Sequence, residues 1–385
     1  MNEAELGQEL VAILGELIAI PSPFPPSDTG AICAHAAERL GRAGYRVETL
    51  TRTAGIDNVV AEIGEGRPCL VFNAHVDTVG VGEPAMWRTD PFTAVVRNGL
   101  VHGLGAGNCK GSMAVQLWLA EEIARRGGPA GGRIIFTFVG DEENLGPDGM
   151  YFLRESGKVK PDMLVLGAQT ENHLIAAERG VLWVRIEARG RAAHAGNPTA
   201  GDNALERLLR LIGHLQRELV PRLAQRVDGA MRSTWNLGRL QGGHNTNVVP
   251  NAAWAEIDRR LLPGETVDQA FAEMAGILAE AGEPEESFTL IRLRGTNGFR
   301  SQEEGPLVRA FAEEIGQRLG TPARFLNATG VSDGRYFADD GIPILNFGPG
   351  SGAEGHAANE SVPVRELVDA ALIQLGVVRR LFGVT

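Results

Sequence analysis

The sequence predicts an α/β protein: a mixed sheet covered by helices, interrupted by an inserted α+β segment. Three observations carry that expectation. Short, almost continuously apolar runs alternate with stretches of helical period in the first half of the chain, as strands buried on both faces do. A similar run recurs near the C-terminus, in "PILNFGPG". Between them, over roughly residues 178–293, apolar and polar residues alternate, as in a sheet with one covered face.

Along the chain, Leu6 to Ile20 has apolar residues at helical spacing and is stopped by "PSPFPP". A second helix is expected from Thr29 to Ala43, ended by Gly44. "NVVAEIG", "PCLVFNAH" and, after a helix from Ser112 to Arg126, "RIIFTFVG" read as strands, as does "MLVLGA". In the middle segment "VLWVRIEARG" is a half-buried strand, followed by a helix from Asn203 to Leu219. The strands "STWNLGRL" and "AAWAEIDRRL" come next, then a helix from Val267 to Ala281 and the strand "SFTLIRLRG". That order fits a small sheet with helices on one face. The expected domains are an α/β domain built from residues 1–177 and 294–385 and an inserted domain over 178–293.

Composition excludes several function classes. The chain has 385 residues, 43% hydrophobic and 22% charged, in the range of globular proteins. A net charge of -11, with Arg and Lys scattered, argues against a nucleic-acid partner. Cys33, Cys69 and Cys109 are odd in number and lack metal-type spacing, which suggests a reduced, cytoplasmic protein. The N-terminus lacks the basic start and apolar core of a signal peptide, and no apolar run is long enough to span a bilayer, so no membrane partner is expected.

The predicted strands run into chemically capable residues. "VFNAH" delivers His75 and then Asp77, "FTFVG" delivers Asp141, Glu142 and Glu143, and "LNFGPG" leads to His356. In open α/β sheets, ligands bind beyond the strand carboxyl ends. Period-two alternation puts His75 and Asp77 on one side of an extended segment, where the carboxylate could orient a metal-binding imidazole. In "DEEN" one acid could ligate a metal while its neighbour acts as a base on bound water. Each has a plainer reading alone: a satisfied buried histidine, a solvated acidic turn, a mobile loop. Together and in this order they point to a metal-centred site.

The loop "GLGAGNCKGSMA", Gly103 to Ala114, has three readings. A dinucleotide fingerprint needs a different third glycine spacing, and a phosphate loop needs Gly-Lys-Ser where "CKGS" has Lys-Gly-Ser. A tight turn before a helix is the plainer alternative. The third is a ligand loop that has lost its metal-binding residue. Cys109, at the helix start, is either a thiolate nucleophile or a small buried residue filling space. Asp333 and Arg335 in "GVSDGRYF" either pair with each other or reach the substrate.

Through "NAHVDTV", "WRTDPF", "GLGAGNCKG", "GDEEN", "GRAAHAGNP", "NTNVVP", "DRRLLP", "GVSDGRYF" and "FGPG…GHAANE" the sequence resembles the dinuclear zinc amidohydrolases and exopeptidases. That family includes acetylornithine deacetylase, succinyl-diaminopimelate desuccinylase, aminoacylases and glutamate carboxypeptidases. The resemblance implies a zinc-exopeptidase-like catalytic domain with an inserted lid and dimerisation domain, and a homodimer. It further implies that His75 binds one metal and Asp77 orients it, that Glu143 and His356 bind the other, and that Glu142 is the general base. His194 would stabilise the oxyanion in the partner subunit's site, and Asn247 and Arg260 would hold the substrate.

Two positions depart from the family pattern. Asn108 stands where the bridging carboxylate belongs. Ala168 and Gln169, in "LGAQT", stand where a "GEPT"-like motif would supply the last carboxylate. Asn108 offers at most a neutral oxygen, so the expectation is one zinc or other divalent ion per chain, or none. The expected activity is hydrolysis of a small carboxylate-bearing amide such as an N-acyl amino acid. The alternatives are a metal-poor catalyst of acyl transfer, condensation or isomerisation, and a dimer that binds a small acidic ligand without turnover.

Overall fold

The computed structural model describes residues 2–26, 28–328, 330–353 and 355–385. The chain divides into two compact units. Met1–Ala176, Arg300–Leu326 and Ser332–Thr385 form the first, and Ala177–Phe299 with Asn327–Val331 the second.

Helix α1 (Glu3–Ile18) starts where Asn2 and Glu5 cap each other. Asn2 Oδ1 accepts from Glu5 N at 2.9 Å and Glu5 Oε2 accepts from Asn2 N at 2.8 Å, which satisfies two amides that have no helical partner. Its buried stripe is Leu6, Leu10, Ile13, Leu14 and Leu17. Helix α2 (Gly30–Arg42) follows, then strands β1 (Arg46–Thr51), β2 (Asp57–Glu65) and β3 (Cys69–His75). Helix α3 (Lys110–Arg125) is buried on nearly every side, and β4 (Gly132–Val139), α4 (Met150–Glu155) and β5 (Met163–Gly167) complete this part of the first unit.

The second unit is an antiparallel sheet of β6 (Gly180–Arg189), β7 (Thr234–Gly242), β8 (Ala252–Leu261) and β9 (Phe288–Thr296), in the order β7-β8-β6-β9. Helices α5 (Ala204–Ala224) and α6 (Val267–Ala279) cover one face of it. Leu182, Val184 and Ile186 of β6 and Ala255 and Ile257 of β8 pack there with Leu208, Leu211 and Met274. α5 runs past Leu219, through Pro221, because Leu223 still belongs to that core.

Strand alternation sends the two arginines of "DRR" to opposite faces. Arg259 is fully buried, donating to Glu273 Oε2 at 2.7 Å and to the Ala270 main-chain oxygen at 3.0 Å. Arg260 pairs both carboxylate oxygens of Asp258, at 2.8 and 3.0 Å.

The chain returns to the first unit with α7 (Pro306–Leu319), β10 (Ile344–Phe347) and α8 (Val364–Phe382). The six-stranded sheet there has the order β10-β5-β3-β4-β2-β1, with the first four strands parallel and the last two antiparallel to their neighbours. It is the mixed sheet expected. Every residue of β3 is buried, which is why its sequence reads as a continuous apolar run. Phe72 stacks on its register partner Phe136 with centroids 5.2 Å apart, within the apolar core of the first unit. Because four neighbouring strands are parallel, the segments after His75, Val139, Gly167 and Phe347 all emerge at one edge. Among the described residues, no helix is long and apolar enough to cross a membrane.

The Arg259–Glu273 contact gives a stability prediction. Glu273→Ala removes the hydrogen-bonded carboxylate of Arg259, leaving it only Glu265 at 3.6 Å, and removes a partner of Arg226. A loss of about 3–5 kcal/mol is expected in urea unfolding; a loss under about 1 kcal/mol would show that the buried cation is satisfied elsewhere.

Candidate active site

The site lies in the first unit, at the edge where the parallel strands end. β3 delivers His75, and the chain turns at once. His75 Nδ1 sits 2.9 Å from the Asp77 main-chain oxygen and 3.5 Å from its carboxylate Oδ1. Period-two alternation placed Asp77 beside the ring, but the strand stops at His75, so the carbonyl is the nearer partner. The fully buried Asp77 carboxylate also accepts from Glu143 N at 3.0 Å, fastening the segment after β3 to the segment after β4.

β4 delivers Glu142 and Glu143, and the two acids have different partners. Glu142 Oε2 lies 3.9 Å from His75 Nε2, and its Oε1 is 3.4 Å from Arg335 Nη1. Burial pushes the Glu142 carboxyl upward from the usual carboxylate range, against the pull of His75 and Arg335. Arg335 also faces Asp333 at 3.6 Å, so those two side chains pair with each other while Arg335 reaches Glu142. Glu143 Oε1 lies 3.0 Å from His356 Nε2. The Glu143 hydrogen bond raises the His356 pKa, with burial opposing.

Asn108, at the end of the glycine-rich loop, stands between these groups. Its Nδ2 lies 2.7 Å from Glu143 Oε1 and 2.9 Å from His356 Nε2, and its Oδ1 lies 3.2 Å from His75 Nε2. Both ring nitrogens of His75 therefore face oxygens. Burial works against its cation, but Cys109, Glu142 and the Asp77 contact outweigh it and hold its pKa well above 6.5. Cys109 itself is buried, with Sγ 3.6 Å from the Gly167 main-chain oxygen and in side-chain contact with His75.

The donor set separates two places for a cation. Glu143 Oε1 and His356 Nε2 converge on the Asn108 carboxamide, whose half-turn would present Oδ1 to both and Nδ2 to His75. Those three donors fit one divalent ion with open positions. Beside His75 the set is poorer. One ligand atom each from His75, Glu142 and Glu143 lie within 4.8 Å of one another, but Ala168 has no donor and Asn108 has no charge.

The remaining expected site residues belong to the second unit. His194 is exposed, its Nδ1 accepting from Gly196 N at 3.0 Å, and Asn247 holds the neighbouring residue, its main-chain oxygen accepting from Ala195 N at 2.9 Å. Arg260 is anchored by Asp258 on the uncovered sheet face. One residue escaped the sequence reading. Glu360, the last letter of "GHAANE", is buried against the glycine-rich loop; an acid closing a glycine-rich loop was the available signal.

Residues 176–286 match the peptidase dimerisation domain, and residues 58–206 match peptidase family M28. The succinyl-diaminopimelate desuccinylase of Methylorubrum populi is 30% identical, covering 98% of this chain and 99% of that relative. An M20 family metallo-carboxypeptidase from Sulfolobus solfataricus matches the fold with TM-score 0.81 at 18% identity, over 98% of this chain and 100% of that one. A dinuclear metal binding peptidase of the M20 family from Bacillus subtilis matches with TM-score 0.70 at 17% identity, over 99% and 100%.

His75 provides a test of the site's electrostatics. In metal-free protein its ring should keep both protons at pH 7 and release one only as pH rises well above 6.5. Nitrogen-15 NMR of the imidazole reads this directly; a midpoint at or below 6.5 would contradict the hydrogen-bond pattern.

Proposed function

The chain belongs to the M20 family of metallopeptidases and related amidohydrolases, and on that premise we propose that it hydrolyses N-acyl amino acids at a site with room for one divalent cation. It is an amidohydrolase-type, peptidase-like enzyme. The relative's desuccinylase activity and the arginine in "DRR" support an acyl donor attached to a carboxylate-bearing amine. No feature of the fold or of the relatives favours acyl transfer, condensation, isomerisation or binding without turnover.

The observation that carries the reading is that the two neighbouring acids have different partners. Glu143 joins His356 and the Asn108 carboxamide as donors to the cation. Glu142, whose carboxylate faces His75 and Arg335, is left for proton transfer. A divalent ion held there supplies Lewis acidity to the scissile carbonyl and to water. Glu142 then takes the proton of the attacking water and hands it to the leaving amine. Asp77 keeps the His75 ring in place. His194 would stabilise the oxyanion, and Asn247 and Arg260 would hold the substrate carboxylate, in a homodimer built through the dimerisation domain. Cys33, Cys69 and Cys109 are all buried and unpaired, which supports a reducing compartment such as the cytoplasm.

The test is a mass-spectrometric panel of N-acetyl and N-succinyl amino acids, N-succinyl diaminopimelate included, with and without chelator. At least one should be cleaved, chelator should stop it, and Glu142→Gln should lower kcat by about 10²–10⁴-fold. Full activity in Glu142→Gln would remove the base from the mechanism. The double change Asn108→Asp with Ala168→Glu should raise bound zinc from one equivalent to two by elemental analysis. An unchanged content would mean the backbone no longer suits a second ion.

A further inference from the structure

The glycine-rich loop is an anion cradle after all, and the anion is the chain's own. Glu360 Oε2 accepts from Gly105 N at 2.9 Å, and Oε1 accepts from Gly107 N at 3.0 Å and Asn108 N at 2.5 Å. Converging main-chain amides of this kind form concavities that bind phosphates in other proteins. Here the concavity is filled by a carboxylate that is only 2% exposed. The fit leaves no space at Gly107, where a Cβ would lie 3.0 Å from Glu360 Oε1 and 2.8 Å from Gln169 Nε2.

The same short segment is fastened elsewhere. The Glu360 main-chain oxygen accepts from Gly103 N at 3.2 Å. Asn359 accepts from Arg88 N at 2.8 Å and donates to the Met86 main-chain oxygen at 2.8 Å. His356 begins this segment, and Asn108 ends the loop that Glu360 grips. One carboxylate therefore links the backbones that carry two of the three cation donors.

We propose that Glu360 is a positioning residue for the cation place, holding Asn108 and His356 in register without touching the ion. The proposal rests on the single-cation reading above. Its physical basis is the direction of the three amides: a carboxylate satisfies all of them, whereas a glutamine must turn its own N–H₂ toward at least one N–H donor. The loop would then move, and Asn108 with it. Supporting residues behind metal ligands typically change affinity by about 10–100-fold when altered.

The experiment is a calorimetric titration of chelator-stripped full-length protein with zinc(II), repeated with cobalt(II). Wild type should bind one equivalent, and Glu360→Gln should bind about 10–100-fold more weakly. In an Asn108→Ala background, adding Glu360→Gln should weaken binding by less than it does in wild type, because the route through Asn108 is already gone and only that through His356 remains. Should Glu360→Gln fail to fold by circular dichroism, Gly107→Ala disturbs the same contact from the loop side and should weaken binding in the same direction. Affinity within twofold of wild type, or a full additive loss in the Asn108→Ala background, would overturn the positioning role. Wild type that binds no ion at all would instead overturn the single-cation reading, and the proposal with it.

Discussion

Two divalent cations held about 3.5–4 Å apart repel each other by something on the order of 18 kcal/mol at an effective dielectric constant of about 20. A shared anion is what makes such a pair tenable. At the point between His75 on one side and Glu143 and His356 on the other, this chain presents the neutral carboxamide of Asn108. The arrangement around it follows from that substitution of charge. As it stands, with Asn108 Oδ1 toward His75, the ring has oxygens on both nitrogens and neighbours that favour its protonated form. Glu143 and His356 keep their convergence on the other side. Glu142 is buried between His75 and Arg335.

The parallel half of the sheet is what makes this constellation possible. His75, Glu142 and His356 are far apart in the chain but follow strands β3, β4 and β10, which end at the same edge. Asp77 then couples two of the segments, and Glu360 couples the two loops. The glycines of "GLGAGN" are explained by the same contacts. They bring main-chain amides to a buried carboxylate, so the resemblance to a phosphate loop reflects shared backbone chemistry and no nucleotide is required.

Much of this was legible in the sequence. β3 and β4 announced themselves as unbroken apolar runs, and reactive residues directly after them could be read as site candidates. The alternation in "AAWAEIDRRL" separates Arg259 from Arg260. Other features needed the fold. The grip of Glu360 on Asn108 joins residues 252 positions apart, and no local pattern reports such a contact. The role of the Asp77 carbonyl depends on where β3 stops, which periodicity alone does not locate. Helices α7 and α8 carried usable signals that the reading passed over: Pro306 in the first turn and left-handed Gly320 after the last turn of α7, and left-handed Gly383 after α8.

The most direct test of the central claim is anomalous X-ray diffraction at the zinc edge from crystals grown with excess zinc. The expected map has one peak, beside Glu143, His356 and the Asn108 carboxamide, and no density for an ion at His75. Two fully occupied peaks spanned by residue 108 would contradict it, because a neutral side chain would then be seating a pair of dications.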